Sequence, residues 1–173
     1  MKSVAGLSLG VIALTAGAFI TAGAAVGSGD FEASVQGATV AHPAGEVAFG
    51  IVGDTGAGVA AFTITLEGSD SSGAILFTTL DGRMPAPGRY ELGDEDSGFR
   101  AMYVAGSPER PTGLYRAERG TLEITASSPN HLSGHFSFTG AGFTAADPSD
   151  EGSEVTVNGA FMSTRPARRS AQP

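Results

Sequence analysis

Cysteine and tryptophan are absent from this 173-residue chain, and lysine occurs once, as Lys2. Without cysteine the chain can form no disulfide bond, so a stable fold must bury a hydrophobic core of its own. The same absence excludes a cysteine nucleophile and a lipid-bearing cysteine. Tryptophan, the usual stacking platform for sugars, is missing too, and three tyrosines remain. These absences remove several common kinds of catalytic and binding site.

The charge balance is acidic: 18 Asp and Glu against 10 Lys and Arg give a formal net charge of −8. Arg165, Arg168 and Arg169 lie in the last nine residues, so the chain before them is more acidic still. An acidic surface repels nucleic acid and anionic lipid surfaces, because binding there depends on neutralising phosphates. We therefore predict no nucleic-acid partner.

The first 24 residues have the features of a signal peptide. Lys2 supplies a positive start, residues 4–20 are apolar apart from Ser8 and Thr15, and Ala22-Gly23-Ala24 offers the small-x-small pattern of a cleavage site. We predict a signal helix over residues 1–24, with Ala25-Val26-Gly27 as an alternative cleavage site. Cleavage would release a periplasmic or extracellular protein.

A transmembrane anchor is the alternative interpretation of this segment. An anchor needs roughly 20 predominantly apolar residues. The apolar run here is about 17 residues long, contains three glycines, and is followed by no basic stop-transfer residues. The sequence therefore predicts no stable membrane insertion after cleavage.

Apolar residues recur at every second position along most of the remaining chain. The pattern is clearest over residues 120–162, which read as three consecutive strands, including Leu122 with Ile124 and Phe136 with Phe138. Gly-, Pro-, Asp- and Ser-rich breaks separate the runs, and no long helical spacing occurs. We predict an all-β antiparallel sandwich or barrel of about nine or ten short strands. It forms one domain over residues 25–164, and residues 165–173 form a disordered tail.

Two stretches also carry a family resemblance. Pro87-Gly88-Arg89-Tyr90-Glu91-Leu92 is followed by an aromatic strand, and residues 120–161 contain Gly120-Thr121-Leu122-Glu123-Ile124-Thr125 and Val155-Thr156-Val157-Asn158-Gly159-Ala160-Phe161. The chain resembles a family of uncharacterised exported bacterial β-rich proteins, a domain of unknown function often found in lipoproteins. The resemblance implies a β-rich fold and an envelope location, and it implies no catalytic residues. This chain departs from many members because it lacks the lipid-bearing cysteine.

An acidic loop over residues 147–154 contains the candidate metal ligands Asp147, Asp150, Glu151 and Glu154. Calcium binds several oxygen ligands supplied by one loop, and this loop carries enough carboxylates. The loop lacks the Asp-x-Asp-x-Asp-Gly order of a calcium-binding loop, which favours a solvated acidic loop instead. The sequence therefore predicts no bound cofactor, and Ca²⁺ at this loop is the one alternative.

Signatures of catalysis are scarce. His131 and His135 are four residues apart, but on a strand that places them about 13 Å apart, too far for one zinc ion without a turn between them. Gly56-Ala57-Gly58-Val59-Ala60-Ala61 matches the G-x-G-x-x-A dinucleotide pattern, yet an alternating run rather than a helix follows it. No Ser-x-x-Lys pair exists after Lys2. The sequence thus favours a protein that is not an enzyme.

Three functional hypotheses remain open from the sequence. The first is a non-catalytic structural or interaction module of the bacterial envelope. The second is a binder of small apolar ligands, because a large enough barrel encloses a cavity. The third is a hydrolase whose site is assembled across strands, since such sites are recognised by geometry and not by spacing.

Overall fold

The computed structural model describes residues 28–54, 59–69, 71–79, 81–93, 98–146 and 152–164. These residues form nine β-strands and no helix. The strands are β1 (Ser28–Gly37), β2 (Ala44–Asp54), β3 (Val59–Gly68), β4 (Ala74–Thr79), β5 (Gly88–Leu92), β6 (Arg100–Ser107), β7 (Arg110–Ser128), β8 (His131–Thr144) and β9 (Ser153–Thr164). The prediction of an all-β fold is confirmed. The predicted signal peptide and C-terminal tail lie outside the described residues.

Eight of the strands close into an antiparallel barrel. Their order is β7-β6-β4-β3-β2-β1-β9-β8, and β8 pairs back onto β7. β5 is an extra strand that pairs with β7. A sandwich or a barrel was predicted, and the structure is a barrel. The pairing of β8 with β7 closes the sheet into that barrel.

β7 explains why nine strands form where nine or ten were predicted. The alternating runs on either side of Gly120 belong to one strand of 19 residues. Its first half pairs with β6 and its second half with β5, while β8 follows it along nearly its whole length. Register shifts at Ala117/Arg119 and Ile124/Ala126 mark β-bulges, which bend a strand and increase its twist.

Inward-facing side chains fill the barrel. Eight of the ten phenylalanines are buried, together with Tyr103 and Tyr115. Aromatic rings meet near the centre, where Phe77 lies 5.2 Å from Phe136 and 6.4 Å from Phe138, centroid to centroid, both in edge-on contacts. Such contacts add to the free energy gained from burial alone. The core is thus a packed aromatic cluster.

Large rings pack opposite glycines across the strand pairs. Gly134 on β8 lies directly opposite Phe161 on β9, and Phe136 on β8 lies directly opposite Gly159 on β9. Each strand therefore places one glycine opposite a phenylalanine of the other strand. A Cβ atom on Gly159 would come within 2.5 Å of the ring of Phe136, and one on Gly134 within 3.0 Å of the ring of Phe161. These glycines provide the space that the rings occupy.

β1 pairs unequally with its two neighbours. Ser28 and Thr164 are the first of its cross-strand pairs with β9, the last described strand. β1 pairs with β9 through ten residue pairs and with β2 through only three. Beside that short pairing, the buried hydroxyl of Ser163 donates a hydrogen bond to the Val47 carbonyl at 3.3 Å, which links β9 to β2.

Candidate functional site

The four predicted calcium ligands are only partly visible. Asp147, Asp150 and Glu151 lie outside the described residues. Glu154 is exposed on β9, and its backbone carbonyl accepts a hydrogen bond from the Ala38 amide at 2.9 Å. Across the described ranges, no group of three or more His, Asp or Glu residues could hold a metal ion. Calcium binding stays a prediction.

Neither histidine of β8 belongs to a metal cluster among the described residues. His131 contacts the Thr164 hydroxyl through Nδ1 at 3.3 Å, and His135 is exposed on the outer face of the barrel. The segment after the G-x-G-x-x-A pattern is strand β3, so the helix that a dinucleotide pyrophosphate requires is not formed. The rest of that glycine pattern lies outside the described residues.

Two buried tyrosines stack inside the barrel. The rings of Tyr103 and Tyr115 are 6.0 Å apart and nearly parallel, and both side chains are fully buried. The Tyr103 hydroxyl donates a hydrogen bond to the Ser72 carbonyl at 3.0 Å. The Tyr115 hydroxyl is buried without a hydrogen-bond partner among the described residues. A buried polar group without a partner is destabilising, so the two hydroxyls contribute with opposite sign.

Tyr103→Phe is expected to lower the free energy of unfolding by about 1 kcal/mol, because it removes a buried hydrogen bond. Tyr115→Phe is expected to leave that free energy unchanged or raise it by about 1 kcal/mol, because it removes an unpartnered hydroxyl. Urea unfolding of the two variants measures both effects, and each serves as the control for the other. Equal losses from both substitutions would contradict the assignment.

The same pair predicts a loss of stability at alkaline pH. Burial raises the pKa of Tyr103 from its ordinary value of 10 to about 12, with a smaller contribution from Tyr115, and burial also raises the pKa of Tyr115. Unfolded tyrosines release their protons at about pH 10, whereas the folded ones retain theirs. The contribution of Tyr103 to the free energy of unfolding should therefore be constant below pH 10 and fall by about 1.4 kcal/mol per pH unit between pH 10 and about pH 12, and Tyr115 should add to the loss above pH 10.

Urea unfolding at several pH values between 9 and 12 measures this fall. The Tyr103→Phe variant should show a shallower slope than the wild-type chain, since one buried phenol is gone. An equal slope in the variant would mean that other groups cause the loss.

A groove of about 400 Å³ crosses the outer face of β7, β8, β9 and β1. Two rows of outward residues border it. The first row runs from Asp30 through Met162 to Ser133, and the second from Glu32 through Ala160 to His135. The short side chains of Ala160 and Ser133 leave space in the groove, and Gly134 and Phe161 also line it.

Met162 forms an apolar wall of this groove. It is 56% exposed and lies near the end of β9. A second groove, of about 330 Å³, lies beside Gly93, Arg116 and Ala141. The groove at Met162 is the one in which an exposed apolar side chain and several ionisable groups meet.

The groove gathers a serine, a histidine and carboxylates, but not as a catalytic triad. Ser133 and His135 are two residues apart on the same face of β8, which separates them by about 7 Å. The Ser133 hydroxyl instead forms a hydrogen bond with the Thr125 hydroxyl at 2.9 Å. A nucleophile needs a base within about 3.2 Å, and no such hydrogen bond joins these two residues.

A row of carboxylates continues from the groove across the neighbouring strands. Asp30 on β1 lies directly opposite Glu46 on β2, and Glu46 lies directly opposite Glu67 on β3. All three are exposed, and their side chains make no hydrogen bond or ion pair with any described residue. The row ends at Ala74 on β4 and at Met162 on β9, so no basic residue stands in register with it.

Like charges that directly face each other across strands are destabilising. We call Asp30, Glu46 and Glu67 the acidic row. Neither this row nor the adjoining groove is predictable from the sequence, because both depend on the register of strands that are far apart in the chain. The outward position of each carboxylate within an alternating run was visible, but its cross-strand neighbour was not.

Among the described residues, none forms a helix long and apolar enough to cross a membrane. Comparison of the chain with protein-family models, with curated proteins and with solved structures found no match. The resemblance to exported bacterial β-rich proteins therefore stays a prediction.

Proposed function

We propose that this protein is an exported, non-catalytic interaction module of the bacterial envelope that binds its partner on the outside of the barrel. The observation that carries the proposal is the division between a filled interior and a grooved exterior. Phe49, Phe62, Phe77, Phe136, Phe138 and Phe161 are each no more than 4% exposed. An apolar ligand would have to displace this aromatic cluster, so the outer surface is the better candidate for recognition.

The two other hypotheses receive less support. A binder of small apolar ligands needs a cavity of roughly 300 Å³ or more lined by these rings, whereas the rings contact one another at centroid distances of 5.2–6.5 Å. A serine hydrolase needs a serine hydrogen-bonded to its base, and the Ser133 hydroxyl is hydrogen-bonded to Thr125 instead.

The envelope location rests on the sequence of the first 24 residues. If they are a signal peptide, the protein recovered from native cells begins at Ala25, or a few residues later at the alternative cleavage site. Intact-mass measurement together with N-terminal sequencing tests this expectation. A mature chain that retains Lys2 would contradict export with cleavage.

Site-specific photocrosslinking in native cells tests partner binding. A photoreactive residue at Met162 is expected to capture one defined partner. Thr156 is the matched control, because it is also exposed and outward on β9 but lies about 20 Å away along the strand. Capture from Met162 and not from Thr156 supports the proposal. Equal capture from both positions, or none from either, would contradict it.

A further inference from the structure

We propose that the groove at Met162 and the acidic row together bind an extended basic segment of a partner protein, with two cationic side chains followed by an apolar one. This inference rests on the proposed function and adds the chemistry of the partner. Each part of the surface specifies one part of that segment.

Charge selects a basic partner. Asp30, Glu46 and Glu67 face one another in register without any basic neighbour among the described residues, and Glu32 stands beside them on β1. Their mutual repulsion falls when cationic side chains lie between them. A guanidinium group suits this position, because its fork of N–H donors can reach two carboxylates at once.

Spacing selects an extended conformation that crosses the strands. Glu67, Glu46, Asp30 and Met162 lie on four consecutive strands, so the distance from Glu67 to Met162 is about 14 Å. In an extended peptide, the first and fifth residues lie about 13 Å apart, and the first, third and fifth side chains point to one side. Two basic residues and one apolar residue at alternate positions therefore match the row and the groove.

The groove selects the apolar residue. Met162 leaves more than half of its side chain exposed, and Ala160 and Ser133 leave room beside it. Methionine is flexible and polarizable, so it adapts to side chains of different shapes. A leucine-sized side chain fits against Met162 above the short side chain of Ala160.

Fluorescence anisotropy at low ionic strength tests the inference with three labelled peptides and the full chain. The probe is Arg-Ser-Arg-Ser-Leu, and its controls are Glu-Ser-Glu-Ser-Leu and Arg-Ser-Arg-Ser-Ser. The probe should bind, the acidic peptide should not, and the peptide without leucine should bind several times more weakly. High salt should weaken binding of the probe, because exposed charges are screened. Equal binding of the basic and acidic peptides would overturn the inference.

Substitutions then locate the binding surface. Glu46→Gln should weaken binding of the probe by about threefold to fivefold, as expected for one exposed ion pair. Glu109→Gln is the matched control, since it removes one exposed charge from the turn between β6 and β7 and should change binding less than twofold. Met162→Ser should weaken binding of the probe but not of the peptide without leucine. Equal losses from Glu46→Gln and Glu109→Gln would indicate attraction by net charge alone and overturn the inference.

The chain's own Arg165, Arg168 and Arg169 are a competing source of positive charge. Replacing all three by serine should leave binding of the probe unchanged or tighter, whereas a loss of binding would overturn the inference. Peptide binding and photocrosslinking at Met162 together distinguish a failure of this inference from a failure of the proposed function. If the probe fails to bind while Met162 still captures a partner in cells, the partner is not basic and only the present inference falls. If Met162 captures nothing, the proposed function falls as well.

Discussion

Phe77→Ala is expected to lower the free energy of unfolding by about 3–5 kcal/mol, the range seen when a large buried aromatic side chain is removed. Phe77 is fully buried on β4 and contacts the rings of Phe136 and Phe138. The loss combines the missing burial with the cavity that the rigid barrel wall cannot close. Urea or guanidinium unfolding measures the change.

Thr78→Ala is the matched control for Phe77→Ala. Thr78 is the next residue on β4 and points outward, so its loss should cost less than about 1 kcal/mol. A small loss from Phe77→Ala as well would mean that the interior is loosely packed. The hypothesis of an internal ligand cavity would then regain support.

Gly120→Ala is expected to lower the free energy of unfolding by about 3 kcal/mol, because two effects add. Gly120 has a φ of +157°, and an added Cβ atom would overlap the Ser137 carbonyl oxygen and the Cβ atom of Phe138. β7 and β8 would have to separate at the point where β7 passes from β6 to β5.

Gly88 provides a control with nearly the same φ. Its φ is +155°, and an added Cβ atom would meet nothing within 4 Å. Gly88→Ala should therefore cost only the backbone strain, about 1 kcal/mol. The difference between the two variants isolates the close approach of β7 to β8. Equal losses from the two substitutions would exclude that close approach.

The strands could be predicted from the sequence because each buries one face. Alternation such as Phe136 and Phe138 inward against His135 and Ser137 outward predicts both the strand and its core residues. Closure of the sheet was not predictable, since a sandwich and a barrel require the same alternation. The distinction lies in which strands pair, and the β7–β8 pairing decides it.

The sequence pattern also predicts a strand boundary at Gly120, within β7, because charged residues and glycine interrupt the apolar pattern there. A β-bulge between Ala117 and Arg119 shifts the alternation, so the two halves look like separate strands. The groove was hidden for a different reason. Asp30 and Met162 are direct neighbours in space, but more than 130 positions separate them in the sequence. No local pattern contains that information.

The pairing of β1 with β9 has a consequence for the order of events during synthesis. Of the nine described strands, β1 is synthesised first, yet ten of its residue pairs form only with β9, which is synthesised last. Its three pairs with β2 are a small part of what it needs. Closing so long a loop is slow, and contacts of this kind form late in folding. A nascent chain without β9 therefore cannot close the barrel, although the pairings among β2 to β8 do not need it.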